Sequence, residues 1–233
     1  MRHTGEWPGS IILRHGLSKA TARPWNRDVP DAHLTLIRGT AGFLAECANH
    51  LQAMGIPAVA SSPLPPSAAR LWKEAGYQPF KRLDVFGRRL EGDFPDPAIA
   101  VTAERTPDWD AVERVDRDSF EPFWRLDTGG LQDAFTATPR SVLLTAGAPD
   151  LLGFSIVGVG SIAGYLQRIA VTPAAQGHGL GRSLVRASMR WAHHHGAKEM
   201  LLNALPNNET ASGLYINEGF SQLDDHLHIL RKA

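Results

Sequence analysis

The fold of this chain is decided by residues 166–184, which read LQRIAVTPAAQGHGLGRSL. The first six positions predict a short strand, and Pro173 ends it because proline cannot donate a ladder hydrogen bond. Gly177, Gly179 and Gly181 then alternate just before an amphipathic run that predicts a helix. The segment therefore predicts a strand, a glycine-rich turn and a helix in succession.

A glycine-rich turn that opens a helix is suited to binding an anion. The first backbone N–H groups of a helix have no partner within it, and the aligned peptide dipoles place about half a positive charge at that end. Glycine permits a positive φ and lets a ligand approach the backbone. The turn from Gln176 to Arg182 is therefore a candidate phosphate or pyrophosphate site. A tight turn without any ligand is the alternative interpretation.

Two common phosphate motifs do not fit this turn. It lacks the lysine and the serine or threonine of a triphosphate loop, and no second βαβ unit follows to complete a dinucleotide fold. The pattern that remains is Gln-x-x-Gly-x-Gly, at Gln176, Gly179 and Gly181. A second spaced pattern lies downstream, where residues 208–220 read NETASGLYINEGF.

Together, the two patterns resemble the GNAT superfamily of acyl-CoA-dependent N-acyltransferases, over roughly residues 98–233. The resemblance implies an α/β fold with a mixed sheet and acetyl-CoA as cosubstrate. It also implies that the chain transfers an acetyl group to a primary amine of a small molecule or a peptide N-terminus. A non-catalytic acyl-CoA-binding sensor or interaction module is the alternative.

The resemblance also assigns the cofactor site. The strand backbone would pair with the pantetheine arm, and one of its N–H groups would polarise the acetyl carbonyl. The turn would hold the pyrophosphate through its N–H groups, with the side chains of its first and last residues added. The implied set is Ile169, Ala170, Val171, Gln176, Gly177, His178, Gly179, Leu180, Gly181, Arg182 and Asn208. For His178 a solvent-facing position is the alternative, and Asn208 is also a natural helix N-cap.

Tyr215 is the predicted catalytic residue. A phenol, with an ordinary pKa near 10, can donate a proton to a departing thiolate. The alternative is that Tyr215 only packs on its helix face. No carboxylate occupies the strand before the glycine turn, so the general base stays open between ordered water, no base at all, and the side chains of Asp116, Glu121, Asp127, His226 and His228.

Composition narrows the function further. The 233 residues carry zero formal net charge, with 24 basic and 24 acidic side chains, and no basic stripe suggests a nucleic-acid partner. The single cysteine, Cys47, excludes an intramolecular disulfide and a cysteine zinc cluster, and its helical pattern predicts a packing residue. Three consecutive histidines, residues 193–195, point about 100° apart on a helix and predict no metal site.

The location in the cell is predicted from what the sequence lacks. The first ten residues are polar and do not form a signal peptide. No window approaches the ~20 apolar residues of a membrane span. We therefore expect a cytoplasmic protein without a membrane partner. Abundant arginine and alanine suggest a bacterial gene, and a homodimer stays open.

An internal repeat connects the two ends of the sequence. Five residues that match the downstream pattern stand 143 positions before their counterparts: Ala68, Leu71, Trp72, Gly76 and Tyr77. The glycine turn has no match, since residues 38–42 read RGTAG, and Trp72 stands in place of Tyr215. We expect an eroded GNAT-like domain without a cofactor site over residues 1–92 and a catalytic domain over residues 93–233.

Local patterns predict the remaining elements. Strands are expected at 10–14, 34–37, 58–60, 98–103, 141–146, 151–159, 163–171, 200–205 and 226–231, and one strand or a hairpin at 80–90. Helices are expected at 43–54, 67–75, 126–135, 179–194 and 209–218, and from residue 109 onward. Ser67 and Asp108 are the predicted caps of two helices. Residues 91–97, rich in proline and acids, predict the joint between the domains.

Overall fold

The computed structural model describes residues 1–92 and 94–233. The chain forms two compact units. Unit 1 comprises Met1–Asp84 and Asp225–Ala233, and unit 2 comprises Val85–Asp224. The chain passes from one unit to the other twice, after residues 84 and 224. Both points lie within strands, away from the predicted joint at residues 91–97. Asp93, where the second predicted domain begins, lies outside the described residues.

Unit 1 contains the first eight elements of the chain. They are β1 Arg2–Thr4, β2 Ile11–His15, β3 Ser18–Pro24, β4 Ala32–Arg38, α1 Ala41–Ala53, β5 Val59–Ser61, α2 Pro66–Glu74 and most of β6 Gln78–Arg89. Strands β1 to β4 pair antiparallel in chain order, and β4 pairs parallel with β5. The last residues of the chain then pair antiparallel with β5, where Arg231 faces Ala60.

The core of unit 1 lies between this sheet and its two helices. Helix α1 buries Leu44, Cys47 and Leu51, and α2 buries Ala69 and Trp72. Burial raises the pKa of the Cys47 thiol to about 12, as expected for a packing cysteine rather than a nucleophile. The side chain of Leu230, near the end of the chain, completes the same core.

Unit 2 contains the remaining elements. They are β7 Thr102–Glu104, α3 Trp109–Ser119, α4 Thr128–Thr136, β8 Arg140–Ala146, β9 Gly153–Val159, β10 Ala163–Val171, α5 Leu180–His194, β11 Glu199–Ala204, α6 Glu209–Asn217 and the start of β12 Ser221–Lys232. Its strand order is β6-β11-β10-β9-β8-β7. Pairing is antiparallel from β7 to β10 and parallel between β10 and β11.

The sheet of unit 2 is buried on both faces. One face packs against α5 and α6 through residues such as Leu166, Leu184 and Tyr215. The other packs against α3 and α4 through residues such as Val112 and Ala170. A mixed sheet between two layers of helices is the predicted α/β class.

The predicted repeat is confirmed in the backbone. Helices α2 and α6 each have nine residues, and their starts, Pro66 and Glu209, are 143 positions apart. Strands β6 and β12 each have twelve residues and start 143 positions apart, at Gln78 and Ser221. Gly76 and Gly219, which follow the two helices, have φ values of 87° and 82°.

Several local predictions need correction. Helix α2 begins after Pro65 without a side-chain cap, so Ser67 lies inside the helix. The strand predicted at 98–103 is only Thr102–Glu104, and the segment at 80–90 is one strand. Asp108 does cap α3, accepting from Ala111 N at 3.0 Å. Within residues 1–92 and 94–233, no helix is long and apolar enough to cross a bilayer.

Candidate functional site

Strands β10 and β11 diverge within unit 2. They pair in parallel only from Ala163 to Leu166, opposite Glu199 to Leu202. β10 then continues to Val171 without β11 as a partner, and a register shift between Leu166 and Arg168 marks a β-bulge. The space between the diverging ends is called the strand cleft below. It is the place where a chain-like ligand could pair with the free edge of β10.

The phase of the hydrogen bonds decides which backbone groups face the strand cleft. Thr172 N donates to Leu152 O at 2.8 Å, so antiparallel alternation directs the backbone of Ala170 to β9 as well. Ile169 and Val171 therefore turn their backbone groups toward the cleft. Ala170 needs correction within the predicted set, since its backbone pairs with Phe154 and its side chain is buried in the α3–α4 core.

The glycine turn lies at the end of the same strand. Gly177 and Gly179 have φ values of 79° and 86°, and a Cβ at either would meet no atom within 4 Å. Positive φ is therefore the reason for glycine here, and the space above the turn is open. Gln176 to Gly179 are exposed, including His178. The turn is not plugged by side chains.

Helix α5 begins at this turn, and no side chain caps its N-terminus. Gly179 is its N-cap and offers no side-chain acceptor, whereas Thr40, Asp108 and Asp127 each accept from their own helices. The first N–H groups of α5 thus retain their capacity to bind an anion. The side chain of Leu180 is buried in the core, so only its backbone is available.

The other members of the predicted turn have structural partners. Gln176 Nε2 donates to Val171 O at 2.9 Å and so ties the turn to the strand. A Cβ on Gly181 would lie 3.4 Å from Leu214, at ordinary van der Waals distance, so Gly181 lies where α5 faces α6. Arg182 Nε lies 3.1 Å from the buried carboxylate of Glu218.

Tyr215 lies on α6 and is 4% exposed. Its ring contacts those of Phe86 and Phe220, with centroids at 5.8 and 6.1 Å. Burial raises the pKa of the phenol to about 12, and the charge of Arg168 opposes this rise. The phenol is therefore protonated at neutral pH. Asn208 caps the same helix, accepting from Ala211 N at 3.0 Å.

The candidate bases are not brought together. Asp116 is fully buried and binds Arg168 through both carboxylate oxygens. Asp127 caps α4 by accepting from Gly130 N, and Glu121 is exposed. Two candidates belong to unit 1: His226 and His228. In the part of the chain that the structure describes, no three His, Cys, Asp or Glu side chains are grouped as metal ligands.

The corresponding turn of unit 1 is filled. A Cβ on Gly39 would lie 2.6 Å from the ring of Phe43, so that ring occupies the space that is open at Gly179. The Thr40 side chain also accepts from Phe43 N at 3.3 Å and satisfies the start of α1. This turn offers little room for a phosphate.

Sequence comparison finds a similarity between the second half of the chain and a known family. Residues 109–220 match the family model described as the Acetyltransferase (GNAT) family. A mycothiol acetyltransferase of Nocardioides sp. is 29% identical over 193 residues, covering 70% of this chain and 65% of the relative. One of Amycolatopsis mediterranei is 28% identical over 180 residues, covering 67% and 59%. The chain thus spans less than two thirds of the length of these curated relatives.

Structural comparison extends the likeness over both halves. A tandem GNAT protein from the clavulanic acid biosynthesis pathway superposes with a TM-score of 0.67 at 15% identity, covering 96% of this chain and 82% of the other. A probable N-acyltransferase of Enterococcus faecalis V583 gives a TM-score of 0.63 at 10% identity, covering 96% and 61%. At such identities the likeness establishes the fold: two GNAT-like copies in tandem.

Proposed function

We propose, from the premise that the chain belongs to the GNAT family through residues 109–220, that it transfers an acetyl group from acetyl-CoA to a primary amine. The acceptor is a small molecule or a peptide N-terminus. One observation carries this proposal: the free edge of β10 in the strand cleft leads directly to an open glycine turn at the start of α5.

These residues would bind two parts of acetyl-CoA, the pantetheine arm and the pyrophosphate. The C=O of Ile169 and the N–H of Val171 face the cleft and would pair with the amides of the pantetheine arm, since Val171 O already has Gln176 and Ser119 as partners. The N–H groups of the turn and of the first turn of α5 would bind the pyrophosphate. Arg182, half-exposed beside them, would add a positive charge.

The chemistry follows from the reacting end of the same strand. The Ile169 N–H would stabilise negative charge that develops on the acyl oxygen. The amine nitrogen forms a bond to the acyl carbon, and the carbon–sulfur bond breaks. Tyr215 would give its proton to the departing sulfur, and the proton lost by the amine would pass to solvent. With its pKa raised by burial, Tyr215 is protonated at neutral pH and so carries the proton that this role requires.

Unit 1 has a different place in the proposal. Phe43 and Thr40 fill and cap the turn that would correspond to the pyrophosphate site. We therefore assign acetyl-CoA binding to the second copy alone, with unit 2 as the catalytic unit and unit 1 as a unit without a cofactor site. We expect the protein to work in the cytoplasm.

The test is thiol release from acetyl-CoA in the presence of an amine panel. The panel includes peptide N-termini, simple primary amines and the desacetyl form of mycothiol, because the curated relatives are named mycothiol acetyltransferases. Amine-dependent release supports the proposal. Tight acetyl-CoA binding without release for any amine would favour the sensor, and no binding at all would refute both.

A further inference from the structure

The carboxylate of Asp116 accepts three hydrogen bonds, although the residue is fully buried. Arg168 Nε donates to Oδ2 at 2.6 Å and Nη2 donates to Oδ1 at 2.8 Å. The backbone N–H of Leu126 also donates to Oδ1 at 2.8 Å. A carboxylate with these partners is a poor general base, so its role has to be sought in what it holds.

Arg168 lies next to the bulge of β10. It directly follows the extra residue of the bulge, where the register with β9 shifts. A slip of one residue would turn the backbone of Ala170 toward the strand cleft and that of Ile169 toward β9. The position of Arg168 therefore decides which N–H group faces the cleft.

The guanidinium of Arg168 has further contacts besides Asp116. Arg168 Nη2 also donates to Trp124 O at 2.7 Å, and its guanidinium lies 3.6 Å from the ring centroid of Phe120. Three residues along the strand, Val171 O lies 3.0 Å from the hydroxyl of Ser119, which is also 2.7 Å from Val115 O. β10 is thus fastened to the α3 side at two points that bracket Ile169.

Stability alone is a weak reason for such a pair. Removing two charges from water costs about as much as their attraction returns, so buried ion pairs often stabilise a fold no better than apolar side chains do. What a forked arginine–carboxylate contact adds is a fixed geometry. Here the contact fixes the position of Arg168, which directly precedes Ile169, the residue whose N–H group the reaction would use.

We propose that Asp116 and Arg168 form a positioning pair, which locks the register of the β10 bulge and holds the Ile169 N–H toward the strand cleft. The inference rests on the proposed acetyl transfer, because that reaction gives the Ile169 N–H its use. Neither side chain touches the reacting atoms. They act by holding the backbone of β10 in place.

The experiment compares Arg168→Met, Arg168→Lys and Asp116→Asn in the full chain. Methionine keeps an aliphatic stem but loses the fork, and lysine keeps the charge alone. We expect Arg168→Met to lower kcat about tenfold to a hundredfold, with KM for acetyl-CoA within about threefold, because a misplaced donor acts in the transition state. Arg168→Lys and Asp116→Asn should lie between this variant and the wild type.

A second measurement reads the register without acetyl-CoA. Residue-resolved amide hydrogen exchange should find the Ala170 N–H protected by β9 and the Ile169 N–H exchanging faster. In Arg168→Met this contrast should shrink. Asp116→Asn, which retains an acceptor for Leu126 N, provides the same reading if the methionine variant does not fold.

Arg231→Met is the matched control, since Arg231 forms the same fork with Asp31 in unit 1, at 2.7 and 3.0 Å. It should lose stability and keep kcat. An unchanged exchange contrast in Arg168→Met, or a fall in kcat equal to that of Arg231→Met, would overturn the positioning role. If the contrast shrinks in Arg168→Met while the wild-type protein acetylates no amine, the proposed reaction is refuted and the register lock is supported.

Discussion

Arg182 Nε lies 3.1 Å from Glu218 Oε1, so a residue expected to bind a diphosphate is already held by a buried carboxylate. Arg186 forks onto the same group, with bonds of 2.8 and 3.0 Å. Arg88 donates to the backbone oxygen of Glu218, at the end of the helix that carries Tyr215. Glu218 therefore joins the helix of the predicted acid to the helix of the glycine turn.

The two arginines on Glu218 should differ in their effect on cofactor binding. Arg182 lies in the first turn of α5 and has a half-exposed side chain, whereas Arg186 lies one turn further on and is mostly buried. We expect Arg182→Ala to raise the Kd for acetyl-CoA about tenfold, the loss of one charge-assisted hydrogen bond. Calorimetric titration measures it.

Arg186→Ala is the control for this prediction. It should lower the free energy of unfolding by about 2 kcal/mol, because Glu218 loses its forked partner in a buried site. The Kd for acetyl-CoA should stay within about threefold of the wild type. Equal losses of affinity in the two variants would show that Arg182 acts only through Glu218.

Gly179→Val should remove acetyl-CoA binding without unfolding the chain. No atom lies within 4 Å of the added Cβ, so the cost in stability comes from the φ of 86° and is about 2 kcal/mol. The valine methyl groups would occupy the space of the phosphates. Gly196→Val is matched to it, with a φ of 92° and the same open surroundings at the other end of α5. If both variants bind acetyl-CoA alike, the turn is not the phosphate site.

The local parts of the site could be predicted from the sequence. The strand at 163–171 agrees with the predicted bounds, and the glycine turn and α5 follow directly, because positive-φ glycines and a helical stripe are signals of neighbouring residues. The sequence does not predict β1 and β3. Their sequences, RHT and SKATARP, lack the alternation of large apolar residues that marks a strand.

Long-range partners could not be predicted in the same way. Asp116 and Arg168 are 52 positions apart, and nothing local indicates that this one aspartate is fully buried. Glu218 looks like a surface residue at a helix end until α5 brings two arginines to it. The contribution of residues 225–233 to unit 1 is likewise not predictable from local patterns, since pairing with β5 depends on topology.

Tyr215→Phe should lower kcat about a hundredfold and leave KM for acetyl-CoA nearly unchanged. The folded pKa is about 12, so the wild-type phenol stays protonated and should cause no alkaline loss of activity below about pH 10. Thiol release measured from pH 6 to 10 tests both points. Tyr77→Phe, a buried tyrosine of unit 1, should keep kcat. Full activity of Tyr215→Phe would remove the acid from the mechanism.

Unit 1 should lose stability in mild acid through His33. Burial, and then the charge of Arg23, lower the pKa of this imidazole to about 4, while its Nε2 lies 2.8 Å from Ser62 Oγ. Between pH 6.5 and 4 this histidine binds a proton in the unfolded chain but not in the folded chain. The free energy of unfolding therefore falls as the pH falls through that window. The shift corresponds to a loss of about 3 kcal/mol at pH 4. Urea unfolding, read by hydrogen exchange of β4 amides, should show it.

His33→Gln should abolish this pH dependence and exposed His194→Gln should retain it; a wild-type curve that is flat between pH 6.5 and 4 would contradict the assignment.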